Sequence, residues 1–461
     1  MVPERLRPVL DVTLPLAQIF GAVGYRLYLV GGTVRDAIAG RPGGAGDDVP
    51  ADIDLTTDAL PDEVEELLLP SARAVWTSGK RFGTIGAFVG GRHVEITTHR
   101  HEAYDPTSRK PEVAFGDDIR ADLSRRDFTV NAMALRLPDL EMVDPFGGLD
   151  DLAVRRLRTP LEPTESFSDD PLRMLRAARF VAGYRLSPDG ELLAAVSELG
   201  ERLSIVSAER IRDELDKLVV LPVPSSGLWF LVRTGLATHF LPELPALALA
   251  QDPLHRHKDV LAHTIAVVDK TGPDKILRLS ALFHDVGKPR TKVVSAAGVT
   301  FHHHDAVGAR MTRERMRALR YPAAEIDDVA RLVDLHLRFH TYKMGWTDSA
   351  VRRYARDAGP LLGRLNELTR SDCTTRNAAR ARALSRRMDE LEERLSELRA
   401  REELDSIRPE LDGNEIMTEL GLGPGPLVGE ALSFLLSVRL DEGMLGDAEI
   451  RRRLLQWWAA R

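Results

Sequence analysis

Cysteine is almost absent from this chain. Its 461 residues hold one, Cys373, which excludes an intramolecular disulfide and gives secretion no support. Lysine is scarce too: nine of the 63 basic residues are Lys and the rest are Arg. Guanidinium suits bidentate phosphate contacts, although codon bias alone accounts for such an excess. No apolar run approaches the ~20 residues of a membrane span. Met1–Leu10 lacks the apolar core of a signal peptide, so cytoplasm is the expected compartment. A surplus of positive charge is missing as well. The formal net charge of −7 speaks weakly against a nucleic-acid binder, but binding depends on local patches and not on the average. The length suits roughly three or four domains of ~100–150 residues.

Against these absences one stretch stands out, Leu29–Asp54. Tyr25–Val30 alternates as a strand, Gly31-Gly32 breaks it, and Thr33 is the expected cap of a helix running to about Ala39. Such a junction turns backbone N–H groups and a positive helix end toward an anion; the plain alternative is a simple strand–helix connection. Arg41–Val49 reads as a Gly-rich loop. Asp52-Ile53-Asp54-Leu55 then reads as a short strand, in which positions i and i+2 share a face. Both carboxylates point one way, and Ile53 and Leu55 point into the core. Two carboxylates on one face repel unless a cation lies between them, a task that suits Mg2+. A DxD pair also occurs on solvated strand ends; after a Gly-Gly turn it carries more weight. Phe82–Val89 and Arg92–Thr97 read as a hairpin about Gly90-Gly91, with Val94 and Ile96 on one side. Glu95 faces the other side, either as a third acid near the metals or as an exposed strand residue.

Thr98–Asp118 is long, polar and charged, and is expected to be a loop. In Arg125–Leu135 a polar cluster opens what reads as an apolar helix. Asp144–Gly148 closes the first domain. At Ser168–Phe180 an Asp cap and Pro171 start a helix on which Asp170, Arg173, Arg176 and Arg179 recur every three residues. The series spirals, so Asp170–Arg173 can act as one pair while Arg176 and Arg179 reach elsewhere. A solvated face with intrahelical ion pairs is the other reading. Residues 190–250 are helical in pattern, broken by Pro222 and Pro224. Nine of the 13 histidines then fall between His255 and His340. His284-Asp285 ends an apolar helix segment, with His263 on an earlier helix and Asp372 further on; together they read as a divalent-metal site. For His304 and His336 a ligand role and a plain helical histidine stand level. His255, His302, His303 and His340 read as solvated. A long helix is expected from Arg376 to about Arg401, either a solvated arm or an RNA-contacting element.

These motifs together resemble the class II tRNA nucleotidyltransferases, the bacterial CCA-adding enzyme and poly(A) polymerase family. The resemblance rests on Leu-Val-Gly-Gly-Thr-Val-Arg-Asp (29–36), Asp-Ile-Asp-Leu (52–55), Arg-Arg-Asp-Phe-Thr-Val-Asn-Ala (125–132) and Asp-Pro-Phe-Gly-Gly-Leu-Asp-Asp-Leu (144–152). It continues through Asp-Asp-Pro-Leu-Arg-Met-Leu-Arg-Ala-Ala-Arg-Phe (169–180) and Glu-Arg-Ile-Arg-Asp-Glu-Leu (209–215), with an HD domain behind. It implies an α+β fold: a nucleotidyltransferase head with a small mixed sheet flanked by helices, then an all-α neck, an HD body and a helical tail. The expected divisions are 1–150, 151–250, 251–372 and 373–461. The implied activity is template-independent addition of C, C and A to the 3′ end of tRNA from CTP and ATP. Poly(A), A- or CC-addition, or an HD phosphohydrolase acting on RNA ends, are the alternatives. Gly32 and Arg35 would hold the triphosphate, and Asp52 and Asp54 would bind two Mg2+. Arg126 and Asp127 would contact the nucleotide, Asp170 and Arg173 would read the base edge, and Arg176 and Arg179 would complete the pocket. The Thr98–Asp118 loop would be linked to switching from C to A. His263, His284, Asp285 and Asp372 would hold the HD metal. The family's base-reading motif begins Glu-Asp; here it is Asp169-Asp170.

Overall fold

Short apolar runs lay down one seven-stranded sheet in the first half of the chain. In chain order the strands are Leu27–Val30 (β1), Asp52–Thr57 (β2), Ala74–Trp76 (β3), Thr84–Val89 (β4), Arg92–Thr98 (β5), Arg100–Ala103 (β6), Glu112–Phe115 (β7), Ala134–Leu137 (β8) and Glu141–Val143 (β9). The sheet runs β3-β4-β5-β2-β1-β8-β9, while β6 and β7 pair only with each other. Only β2–β5 is parallel; the other pairings of the large sheet are antiparallel, so the sheet is mixed. The computed structural model describes residues 6–40, 52–103, 112–249, 259–295, 298–341, 346–373, 378–402 and 407–461. It forms two units, Met1–Pro242 and Glu243–Arg461.

Alternation along each strand sets the two faces of the sheet. Leu29, Ile53, Leu55, Val94 and Ile96 are buried on one side, where helix Arg7–Ala22 contributes Val9, Leu16 and Phe20 to the same core. Tyr28 and Val30 pack on the other side with Leu123, Ala132 and Ala134. The central strand β1 is therefore buried on both faces.

Three expectations change at this level. Thr33 does not cap its helix: Gly31 takes the cap position with φ +68°, and Thr33 is buried in the first turn of Gly32–Ala39. A left-handed backbone favours glycine there, and no side-chain cap forms. Arg125–Leu135 is not a helix. A short helix, Ile119–Ser124, precedes it, Thr129–Asn131 makes one 3-10 turn, and β8 follows. An apolar run this short does not distinguish helix from strand by its pattern. Pairing with β1, Leu29 opposite Leu135 and Val30 opposite Ala134, decides it. Thr98–Asp118 is not a bare loop either, because β6 and β7 form an antiparallel ladder with Arg100 opposite Phe115. Residues 104–111 of that segment, the Gly-rich stretch 41–49, and His255 and His257 lie outside the described residues.

The rest of the first unit is helical apart from a short parallel pairing of Arg156–Leu157 with Ser187–Pro188. Pro163–Asp169 leads into Leu172–Tyr184, which packs against Ala208–Val219 and Ser225–Arg233. Asp170 accepts from the Leu172 N–H at 3.1 Å, satisfying one of the open donors at the helix start. The second unit is helical apart from a small hairpin, Val293–Ser295 with Gly298–Thr300. Its helix Ala378–Arg401 buries Met388, Leu391, Leu395 and Leu398, so it is a packed element and not a free arm; Arg376 lies outside the described residues. A separate tail core joins Ile416, Ala431, Leu435, Ile450 and Leu454. Among the described residues no helix is long and apolar enough to cross a membrane.

Gly227 sets how closely Ser225–Arg233 approaches Leu172–Tyr184. A Cβ there would stand 2.5 Å from the Ala178 carbonyl oxygen, a backbone atom with little room to give. Gly227→Ala should cost about 1–3 kcal/mol, the usual penalty of overpacking, seen as a lower denaturation midpoint. An unchanged midpoint would mean that this helix pair is not held as tightly as described.

Candidate active site and metal centre

In the head, β2 and β5 bring three acids to one face. Asp54 stands opposite Glu95 in the parallel register, and Asp52 lies two residues before Asp54. Their neighbours Ile53 and Val94 point into the core and are fully buried. Glu95 thus belongs with the DxD pair, which the chain alone left open. Burial pushes the Asp54 carboxyl above its usual range; Arg126 and Arg35 oppose this, and Asp52 adds to it. Glu95 is raised as well, by burial and by the charges of Asp54 and Asp52. In both, burial leads and the charges of the neighbouring carboxylates add to it. The donor set, three carboxylates of hard oxygen character on one face, fits a hard divalent cation.

Gly31 faces this cluster. A Cβ on it would lie 3.2 Å from Arg126 Nη1 and 3.5 Å from Asp54 Oδ2, so the turn, the cation and the acid border one space. Arg126 also reaches Asp122 at 3.3 Å, a fully buried acid that Arg125 holds at 3.0 Å. The adjacent Gly32 leads to Arg35, whose guanidinium is buried, its Nη2 3.4 Å from where a Gly32 Cβ would stand. It donates to both oxygens of Asp36 at 2.9 Å, to Asn131 Oδ1 at 2.5 Å and to the Tyr184 hydroxyl. It also lies 4.1 Å from the centre of the Tyr184 ring. Arg35 is therefore held in place against the glycine turn.

The four charged residues of the arginine helix do not pair within the helix. Asp170 Oδ2 accepts from Arg210 at 2.8 Å. Arg173, mostly buried, donates to Ser166 Oγ at 2.8 Å and to the Arg125 carbonyl at 2.5 Å. Arg176 donates to Asp127 Oδ2 from Nε at 2.8 Å and from Nη2 at 2.6 Å. Arg179 donates to Glu214 at 2.8 Å. Asp127 in turn accepts from the Phe128 N–H and from Asn131 Nδ2. Burial works to raise the Asp127 carboxyl, but Arg176, Asn131 and Arg173 outweigh it and hold it at about 2. Asn131, Tyr184, Arg210 and Glu214 are the residues the sequence reading passed over. Glu214 had a signal: it shares the helix face of Ile211 and Leu218, where a buried acid needs a partner.

In the second unit His263, His284, Asp285 and Asp372 converge, as their spacing predicts. His263 Nε2 lies 2.8 Å from Asp372 Oδ1, 3.4 Å from His284 Nε2 and 3.6 Å from Asp285 Oδ2. Burial lowers His263, and burial lowers His336 to about 4. Burial acts against the Asp285 charge, yet His284, His304 and Lys288 together hold it well below the carboxylate range. His304 and His336 are buried beside this set. His302 and His303 are exposed, and His340, read as solvated, comes within 3.7 Å of Asp372 Oδ2. Imidazoles and carboxylates so gathered can hold a divalent metal.

Three family descriptions match in order: the poly A polymerase head domain over residues 27–158, the probable RNA and SrmB-binding site of polymerase A over 185–247, and the HD domain over 259–395. An A-adding tRNA nucleotidyltransferase of Deinococcus radiodurans is 37% identical over 361 residues, 74% of this chain and 80% of that one. A CCA-adding enzyme of Levilactobacillus brevis is 38% identical over 234 residues; the match spans half of this chain and 56% of that relative. The Bacillus stearothermophilus CCA-adding enzyme, solved in complex with CTP, shares the fold at TM-score 0.73 and 23% identity, over 99% of each chain. On the Deinococcus match, with head, RNA-binding and HD segments in the same order, the chain belongs to the tRNA nucleotidyltransferase family.

Proposed function

We propose that the chain adds C, C and A to the 3′ end of tRNA, taking CTP and ATP and releasing pyrophosphate. The observation that carries this reading is the crowded acid face of β2 and β5 bordered by the Gly31 turn and Arg126. Asp52 and Asp54 hold two Mg2+, with Glu95 beside them. A metal held there would supply activation of the RNA 3′-hydroxyl and charge stabilisation of the leaving pyrophosphate. Gly32 lets the triphosphate approach the main chain, and Arg35 acts by fixing that turn. Arg126 supplies a cation at the nucleotide. Asp127 orients Arg176, and Asp170 and Arg173 present acceptor and donor groups to the base edge without a template. The rigid partners of these groups support selection by fixed hydrogen bonds. Cytoplasm is the compartment this reading implies. His263, His284, Asp285 and Asp372 hold a further divalent metal, and head, neck, HD body and tail divide near 150, 250 and 372.

A second reading is A-addition alone, favoured by the name of the Deinococcus relative. Two substrates separate them: tRNA ending before CCA, and tRNA ending in CC, each with CTP and ATP. Full C, C, A addition to the first is expected; extension of the CC-ended tRNA only, by one A, would leave A-addition. The chain acting chiefly as an HD phosphohydrolase is tested by Asp52→Ala and Asp54→Ala. Each should lower nucleotide addition by roughly 10^3-fold or more, the several kcal/mol that metal stabilisation supplies. Hydrolysis of a 2′,3′-cyclic phosphate end should survive. Addition at the parental rate would refute the metal assignment.

Asp127 gives a pH test. Its folded value of about 2 lies below the usual 3.8, so its ionised form stabilises the fold. That stabilisation, about 2 kcal/mol, is complete above pH ~4 and is lost as pH falls toward 2. Asp127→Asn should therefore destabilise the chain at pH 6 in urea titrations, with the gap from the parent closing at low pH. A gap independent of pH would show that the charge contributes nothing.

A further inference from the structure

The acid face of β2 and β5 does not end at Glu95. His93 on β5 stands opposite Asp52 on β2 and opposite Phe88 on β4. Glu95 stands opposite Gly86, and Gly86 opposite Trp76 on β3. Paired residues of a sheet share a face, and alternate residues return to it. His93, Phe88 and Trp76 therefore lie on the same side as Asp52, Asp54 and Glu95, while Ile85, Ala87, Val94 and Ile96 fill the core behind.

The three rings form one cluster. The centroids of Phe88 and His93 are 5.2 Å apart with planes at 68°, and those of Trp76 and His93 are 5.4 Å apart at 58°. The Trp76 indole fills the space above Gly86, where a Cβ would collide with it. Glycine at 86 is what lets the indole settle over β4, next to the strand that carries Glu95. Trp76 and Phe88 are half-buried and His93 is exposed, so the cluster is not part of the core. An aromatic patch left partly open beside a row of carboxylates suits a ligand with a flat apolar face and a charged end. An unpaired nucleotide is such a ligand, because its base stacks on Phe, Tyr, Trp or His.

Which nucleotide it takes follows from the order of the strands, β3-β4-β5-β2-β1. The Gly31 turn and Arg126, the triphosphate's side in the proposed function, lie on the β1 side of the acids. In-line displacement puts the attacking oxygen opposite the leaving pyrophosphate. The RNA 3′-hydroxyl then approaches from the β5 side, and the nucleotide that bears it lies over β5 and β4. At ~4.8 Å per strand Phe88 is ~10 Å from the aspartates, within the span of one nucleotide. The incoming base is left to Asp170 and Arg173.

We propose that Trp76, Phe88 and His93 form a stacking subsite for the unpaired base at the 3′ end of the RNA. The subsite accepts any base, since every base has a π-face and stacking reads no edge. That suits a site whose RNA end changes its last base with each addition. The subsite rests on nucleotide addition at the acid face, and the test keeps the two apart.

The full chain is titrated into two tRNAs ending in CC, one with its last base in place and one with that nucleotide abasic, in the absence of nucleoside triphosphate. Trp76→Leu, which keeps an apolar cover over Gly86 without a flat ring, and Trp76→Phe are titrated beside it. Thermal unfolding midpoints control for folding. Loss of the base should raise the Kd of the parent roughly 5- to 100-fold, the range of base–aromatic stacking. Trp76→Leu should raise the Kd for the intact tRNA toward the abasic value, and Trp76→Phe should restore most of it. The abasic tRNA should not distinguish the three chains. A parent that binds both tRNAs equally overturns the subsite, and that measurement needs no variant. A loss in Trp76→Leu that is the same on intact and abasic tRNA overturns the assignment to Trp76. Nucleotide addition is read separately: a parent that adds nothing refutes the proposed function, while a base-dependent Kd cancelled by Trp76→Leu upholds the subsite.

Discussion

A closed circuit of buried polar contacts holds the head and its arginine helix in one unit. Tyr184 donates to Asp36, Asp36 accepts from Arg35, and Arg35 donates to Asn131. Asn131 donates to Asp127, and Asp127 holds Arg176, which returns to the helix that carries Tyr184. A branch runs on through Glu214 to Arg179. Such a network is favourable only when its members are satisfied, because each buried charge left alone is costly. Both ends of Leu172–Tyr184 are thus fixed relative to the Gly31 turn and the acid face. The distance between the acid face of β2 and β5 and the start of the arginine helix is set by this circuit and not by a flexible joint.

The circuit explains what was legible in the chain and what was not. Local pattern was enough for β2, since Asp-Ile-Asp-Leu announces its two faces by alternation alone. It was also enough for the apolar helix ahead of His284. It failed at Arg125–Leu135, whose last two residues open a strand stabilised by β1, more than a hundred positions earlier. It failed again at Thr98–Asp118, whose polar composition concealed a ladder. Both are cases of tertiary pairing overriding local preference. Glu95 was undecidable for the same reason: its relation to Asp54 exists only through the parallel register of β2 and β5. The arginine series was readable as a set, but its partners were not, because Asp127 comes from one distant segment and Arg210 and Glu214 from another, the helix Ala208–Val219.

The second unit shows a similar division. Residue types and spacing identify His263, His284, Asp285 and Asp372, since imidazole and carboxylate on successive helices suit one kind of chemistry. Nothing in the spacing separates His304 and His336 from His302 and His303. What separates them is burial and the direction of one hydrogen bond per ring, both products of packing.

Strand β2 bears one more consequence. Its order of acid, apolar, acid, apolar means that slipping the strand by one residue against β1 and β5 would turn Asp52 and Asp54 into the core and bring Ile53 and Leu55 to the surface. Two carboxylates driven into an apolar interior cost several kcal/mol each. The aspartates therefore guard the alignment of the sheet during folding. The same two side chains thus tell the chain which of two neighbouring alignments is correct.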